Sequence, residues 1–149
     1  MRNDSLGDRM KTYEGVSRNY LTKRVPVIIR IDGKSFHSFT KGFNKPFDMA
    51  LQKSMAETTI ELCKNIQTCK LAYTQSDEIS LLLIDYEDIN TEAWFNNNIQ
   101  KMASVSASMA TMYFNKIFRK NSGFCSVNDD VWAKYQRVLD TAMFDSRVF

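Results

Sequence analysis

A largely β-branched run, Val25 to Ile31, stops abruptly at Asp32-Gly33, and this feature constrains the fold more than any other. Val and Ile fit a pleated surface and Asp-Gly forms turns, so the run reads as one strand of a sheet. Pro26 is tolerated because it stands at the strand's beginning. A nearly unbroken apolar run belongs to a strand covered by its neighbours, which predicts a buried, central strand. The 149 residues suffice for one hydrophobic core, a single domain over 1–149. No apolar run approaches the roughly 18 residues that a membrane span needs. Met1-Arg2-Asn3-Asp4 opens no secretory signal, so the expected address is cytoplasmic, with no membrane partner.

The remaining elements follow from periodicity. Tyr13, Val16 and Tyr20 recur at helical spacing and predict an amphipathic lead-in helix within residues 1–22. Residues 34–45, marked by Ser35, Ser38, Gly42 and Asn44, read as a loop. Pro46 suits the first position of a helix, and Asp48 in its first turn complements the helix dipole. That helix buries Phe47, Leu51, Met55 and Leu62-Cys63 and ends near Asn65. Lys70 to Thr74 and Ile79 to Ile84 form a hairpin joined by Gln75-Ser76-Asp77-Glu78.

Asn90 or Thr91 caps a long helix to about Lys120, with Phe95, Ile99, Met102, Val105, Met109, Met112 and Ile117 as its core stripe. Small residues between Ala103 and Ser108 keep one side slim for packing on a sheet, and Asn121-Ser122-Gly123 breaks the helix. A short helix over Val131 to Leu139 and a last strand over Met143 to Phe149 complete the chain. The order β-α-β-β-α-β predicts an α+β, ferredoxin-like fold: an antiparallel sheet with helices on one face.

Composition excludes several chemistries. His37 is the only histidine, so this chain holds no multi-histidine zinc site. Cys63, Cys69 and Cys125 make no Cys-x-x-Cys pair and read as reduced thiols. The five glycines are too scattered for a phosphate-cradling loop or a dinucleotide fingerprint. A net charge of +3 permits a polyanionic partner without demanding one.

In the predicted topology the first and third strands are antiparallel neighbours, which brings Asp32 beside Asp77 and Glu78. Carboxylates on adjacent strands suit two hard divalent cations about 4 Å apart, the layout that clamps attacking and leaving oxygens in phosphoryl transfer. Mg²⁺ fits, since it takes few carboxylates and completes its shell with water and phosphate. Taken alone, Asp32-Gly33 is a turn after a strand and Ser76-Asp77-Glu78 a solvated hairpin tip.

At these residues the chain resembles a known family. Val27 to Phe39, Lys45-Pro46-Phe47-Asp48 and Tyr73-Thr74-Gln75-Ser76-Asp77-Glu78 are similar to the signatures of tRNA(His) guanylyltransferases, closest to the guanylyltransferase-like branch of 3′–5′ RNA polymerases. Asp8 to Lys11, Trp94-Phe95 with Lys101, and Phe144 to Phe149 fit the same pattern. The resemblance implies a polymerase-type palm with two Mg²⁺ ions that activates a tRNA 5′ end with ATP or GTP and adds guanylate there. It implies Asp32, the Gly33 carbonyl and Asp77 as metal ligands, with Glu78 tuning the site. Asp32, Gly33, Lys34, Ser35, Phe36, His37, Ser76 and Asp77 would meet the nucleotide, and Lys45, Asp48 and Lys101 match positions tied to activation or triphosphate binding. A homo-oligomer, the family's tetramer, is also implied.

On physical grounds Lys34 and Lys45 are phosphate contacts or solvated loop lysines, and Phe36 and His37 stack on a base or fold the loop onto the core. Lys101 snorkels toward the site or toward bulk water. Asn96-Asn97-Asn98 stands where eukaryotic members carry arginines, which removes local positive charge. The chain stops at Phe149, without the family's further nucleotide- and tRNA-binding segment. The competing expectation is therefore a catalytically inactive nucleotide- or RNA-binding remnant. A cyclase-like palm is disfavoured because Gln75-Ser76-Asp77-Glu78 lacks a Gly-Gly hairpin.

Overall fold

Two layers build the domain: a four-stranded antiparallel sheet and the helices packed on one of its faces. The computed structural model describes residues 5–125 and 129–149. The strands are β1 (Val27–Gly33), β2 (Cys69–Gln75), β3 (Glu78–Leu83) and β4 (Phe144–Val148), in the order β2-β3-β1-β4. The helices are α1 (Ser5–Gly15), a single turn α2 (Phe36–Phe39), α3 (Met49–Asn65), α4 (Ile99–Cys125) and α5 (Asp129–Val138). The expected antiparallel α+β order is present. Its ends lie within one or two residues of the sequence reading for β2, β3, β4, α5 and the end of α3.

β1 is central in the sheet but covered on one side only. Val27, Ile29 and Ile31 are buried under the helices, while Ile28 and Arg30 face outward. The same alternation buries Ile79, Leu81 and Leu83 of β3. With helices on one face, the sheet keeps a second face open, and β1 is not the doubly buried strand its composition suggests.

The loop after β1 is less open than its sequence reads. Phe36, Phe39 and Phe43 are buried, and Phe36 packs on Phe114 of α4 and Phe144 of β4 with centroids 5.5 and 5.1 Å away. Three aromatic anchors fasten this segment to the core and leave its polar residues at the surface.

Pro46 does not open α3. The helix begins at Met49 with Asp48 as its cap, and Phe47 is 69% exposed rather than buried. The lead-in helix stops at Gly15 and buries none of its residues; Tyr13, Val16 and Tyr20 are all exposed. Asn90 and Thr91 do not cap α4: a 3₁₀ turn, Trp94–Asn97, precedes it, and the Asn98 Oδ1 accepts the Lys101 amide at 3.0 Å.

α4 also buries a different stripe: Met102, Ser106, Ala110, Phe114 and Phe118. Phe95 and Met112 are exposed, and Val105 and Met109 half-buried. Close approach to the sheet demands small residues, and the Ser106 and Ser146 hydroxyls lie 2.8 Å apart across that seam. The helix runs through Asn121-Ser122-Gly123, because Asn121 is buried against α3 and donates to the Ser54 hydroxyl at 3.3 Å. Tertiary packing here overrides local propensity. No helix among the described residues is long and apolar enough to cross a membrane.

Candidate active site

Cross-strand partners in an antiparallel sheet point to the same face, so register alone places side chains in rows. Asp32 pairs with Glu78 of β3 and with Asp145 of β4. Three carboxylates thus cross the open face side by side, with neighbouring β-carbons about 5 Å apart. One row back on that face stand Ser80, Arg30 and Arg147. Along β1 and β4 the face changes from acidic to basic within two residues.

The hairpin adds a fourth carboxylate. Gln75 pairs with Glu78, leaving Ser76 and Asp77 as a two-residue turn, with Ser76 in the left-handed region at φ 55°. The Ser76 hydroxyl donates to the Asp77 carboxylate at 2.9 Å. The Gly33 amide donates to the Asp77 carbonyl at 3.1 Å and ties the turn to the end of β1. Partial burial, then Asp77, Asp145 and Glu78, push the Asp32 carboxyl above the ordinary range, with Arg147 opposing. Negative charge is concentrated and incompletely balanced, as at a cation site.

Gly33 is required where it stands. A β-carbon there would lie 2.4 Å from the Phe36 ring. The absent side chain lets Phe36 fold back over the strand end, and Ser35, at φ 56°, makes that reversal. The segment then forms one wall of a 390 Å³ cavity lined by Phe36, His37, Lys45, Asp48, Ser76 and Asp77 among others. An adjoining 500 Å³ hollow shares Pro46, Asp48, Leu51 and Ser76. These volumes fall in the range of small-ligand sites.

Most of the expected residues therefore converge. Asp32, Gly33, Ser76, Asp77 and Glu78 meet at the strand ends, and His37 and Lys45 reach the cavity from the loop. Lys34 and Ser35 are exposed on the intervening loop. Phe36 and Asp48 line the cavity but are also built into the core, and Lys101 stands apart from it. The Phe36 ring is core, 4% exposed, and not a free stacking surface. Asp48 is buried, with its carboxylate accepting from the Leu51 and Asn44 amides at 3.0 and 3.1 Å and from the Tyr135 hydroxyl at 2.8 Å. It holds α3 and the cavity wall in place. Burial and this hydrogen bond push the Tyr135 phenol well up.

Lys101 lies elsewhere. It lines a separate hollow with Lys23, Arg24 and Asp85, its ammonium 5.7 Å from the Phe95 ring centroid. Arg24 precedes the start of β1 and Asp32 lies near its end, so roughly 17 Å of strand separates the two places. Within one copy, Lys101 does not join the carboxylates.

Asp145, Arg30 and Arg147 complete the face; the sequence reading placed them in family-like stretches without giving them a role. The alternation Phe144-Asp145-Ser146-Arg147-Val148 and the lone Arg30 within an apolar run were the available signals of an open face.

No group of three or more His, Cys, Asp or Glu side chains among the described residues forms a metal cage. The groups that do approach one another are hard oxygen donors, the Asp32 carboxylate with those of Asp77, Glu78 and Asp145. This set fits Mg²⁺, which is held by one or two carboxylates with water and phosphate filling its octahedron.

A profile described as tRNAHis guanylyltransferase matches residues 7–149. The fold superimposes on a bacterial tRNA(His) guanylyltransferase-like protein in complex with GTP, with TM-score 0.82 and 47% identity, over 98% of this chain and 58% of that one. It also superimposes on such a bacterial protein in complex with ATP, with TM-score 0.81 and 46% identity, over 97% of this chain and 57% of that one. An uncharacterized protein of Acanthamoeba polyphaga mimivirus is 30% identical over 155 residues, 98% of this chain and 52% of its own length. The chain spans about half the length of these relatives.

Proposed function

The chain belongs to the tRNAHis guanylyltransferase family, and on that premise we propose that it forms the palm of an Mg²⁺-dependent nucleotidyltransferase. The proposed reaction adds guanylate to the 5′ end of tRNA in the 3′–5′ direction, with GTP and ATP as nucleotides. The observation that carries this reading is the placement of Asp32 between Glu78 and Asp145, with Asp77 beside it at the rim of the cavity.

Each residue has a distinct task. Asp32, Asp77 and the Gly33 carbonyl would hold two Mg²⁺ ions. When bound, such a pair polarises the phosphoryl oxygens and stabilises charge on the attacking and leaving oxygens. Lys45 and His37 line the cavity and contact the triphosphate, with Lys34 on the exposed rim of the same loop. Glu78 and Asp145 keep the local field negative when the cations are absent. Arg30 and Arg147 are like charges directly opposite each other, unfavourable in the ladder alone and favourable against a polyphosphate backbone laid over the open face.

Single-turnover addition of labelled GTP to 5′-truncated tRNA across a Mg²⁺ titration tests this. Asp32→Ala and Asp77→Ala should each abolish transfer, and the double variant should lose no more than either one, since both dismantle one site. Glu87→Ala, at an exposed residue paired with Lys70, should transfer normally. GTP binding without transfer by the wild type would favour the inactive nucleotide-binding reading.

A further inference from the structure

We propose that Cys63 and Cys69 form a reversible intramolecular disulfide on oxidation, a redox-sensitive staple between the end of α3 and the start of β2. Their sulfurs lie 3.3 Å apart, and both residues are half-buried. Side-chain rotation must close the separation to the roughly 2.05 Å of a bond. The backbone beside Cys69 is locally irregular on both sides: Thr68 is left-handed at φ 67°, and the β2–β3 register shifts between Cys69 and Leu71. This stretch, rather than a regular ladder, absorbs the adjustment.

The pair is asymmetric. Cys69 Sγ lies 3.3 Å from Cys63 Sγ and 3.7 Å from the Leu71 carbonyl, and in the proposed order Cys63 is oxidised first and Cys69 resolves it. Burial, then the bond to Cys63, push the Cys69 thiol up to about 12, so it is protonated at neutral pH. With a peroxide as oxidant, the Cys63 thiolate takes one oxygen and becomes a sulfenic acid, releasing hydroxide. The Cys69 sulfur then attacks the Cys63 sulfur, the S–O bond breaks, and hydroxide leaves with the Cys69 proton as water. The two thiols lose two electrons and the peroxide gains them.

The staple lies away from the carboxylates. Cys69 and Val27 both align with Leu83, at the opposite end of the sheet from Asp32. Cys125 is the internal control, since it is the last residue of the long α4 and is bonded to neither of these two sulfurs.

The test is stoichiometric peroxide treatment of the folded wild-type protein, followed by thiol titration and peptide mapping. Titratable thiols should fall from three to one, with a Cys63–Cys69 cross-link that dithiothreitol reverses. Closing so short a loop should raise the melting temperature of the oxidised form by a few degrees. Cys125→Ser should form the same bond, whereas Cys69→Ser should stop at the Cys63 sulfenic acid with one equivalent of peroxide and reach the sulfinic acid only with a second equivalent. Three persistent thiols, a bond to Cys125, or disulfides only between molecules would overturn the proposal.

Discussion

Asp32 and Asp145 are register partners on adjacent antiparallel strands, so two carboxylates share one open face, with Arg147 as the nearby counter-charge. Glu78 flanks Asp32 on the other side. A folded protein tolerates such a row at a cost, and that cost is measurable.

The first prediction concerns pH. Folded Asp32 keeps its proton to a higher pH than the unfolded chain does, chiefly through partial burial and then through Asp77, Asp145 and Glu78. From the ordinary carboxylate value up through the raised one, the folded state binds more protons, so stability falls as pH rises. Below that window the penalty vanishes, and above it the penalty is complete. Metal-free Asp32→Asn should melt higher than wild type at neutral pH and lose less stability between mildly acidic and neutral pH. Mg²⁺ should raise the melting temperature of wild type but not of the variant. Equal pH profiles for the two proteins would refute the charge-cluster reading.

Gly33→Ala should be disruptive despite the small change. The added methyl falls on the Phe36 ring, which is itself wedged against Phe39, Phe114 and Phe144. The expected loss is about 1–3 kcal/mol in urea unfolding, the usual cost of overpacking. GTP affinity should fall with it, because the displaced segment lines the cavity.

Asp48 and Tyr135 form a coupled pair across α3 and α5. Asp48→Ala removes a helix cap and strands a buried hydroxyl, an expected cost of about 2–4 kcal/mol. Tyr135→Phe alone should cost about 1 kcal/mol. In a double-mutant cycle the two losses should not add. Additive losses would show that the hydrogen bond carries no coupling energy.

Lys45 and Lys101 separate two ideas of the nucleotide site. Lys45→Ala should weaken GTP binding by roughly tenfold, about 1.4 kcal/mol. Lys101→Ala should leave GTP affinity of the monomer unchanged, because it stands at the other end of the sheet. Titration of GTP against both variants, with oligomeric state measured alongside, decides between them.

How far the sequence reaches differs between helices and strands. The end of α3 and the extent of α5 were legible from caps and periodicity within a few residues. The buried stripe of α4 was not. Val105, Met109 and Met112 are the more apolar choice, yet Ser106 and Ala110 take the inner position because only small side chains let the helix approach β4. Asn121-Ser122-Gly123 stayed helical for a related reason: a buried partner on α3 outweighs a weak local preference.

The sequence by itself determined the strand that ends in Asp32-Gly33, the hairpin that presents Asp77 and Glu78, and hence the topology that brings them together. Those features depend on alternation and turn chemistry, which act between near neighbours. Only the tertiary structure decided that β1 has one bare face, that Asp145 and Arg147 border it, that Phe36 and Asp48 hold the cavity wall, and that Lys101 lies at the far end. Each of these depends on strand register, helix direction or a burial partner distant in the chain, and none of the three is encoded in any single local stretch.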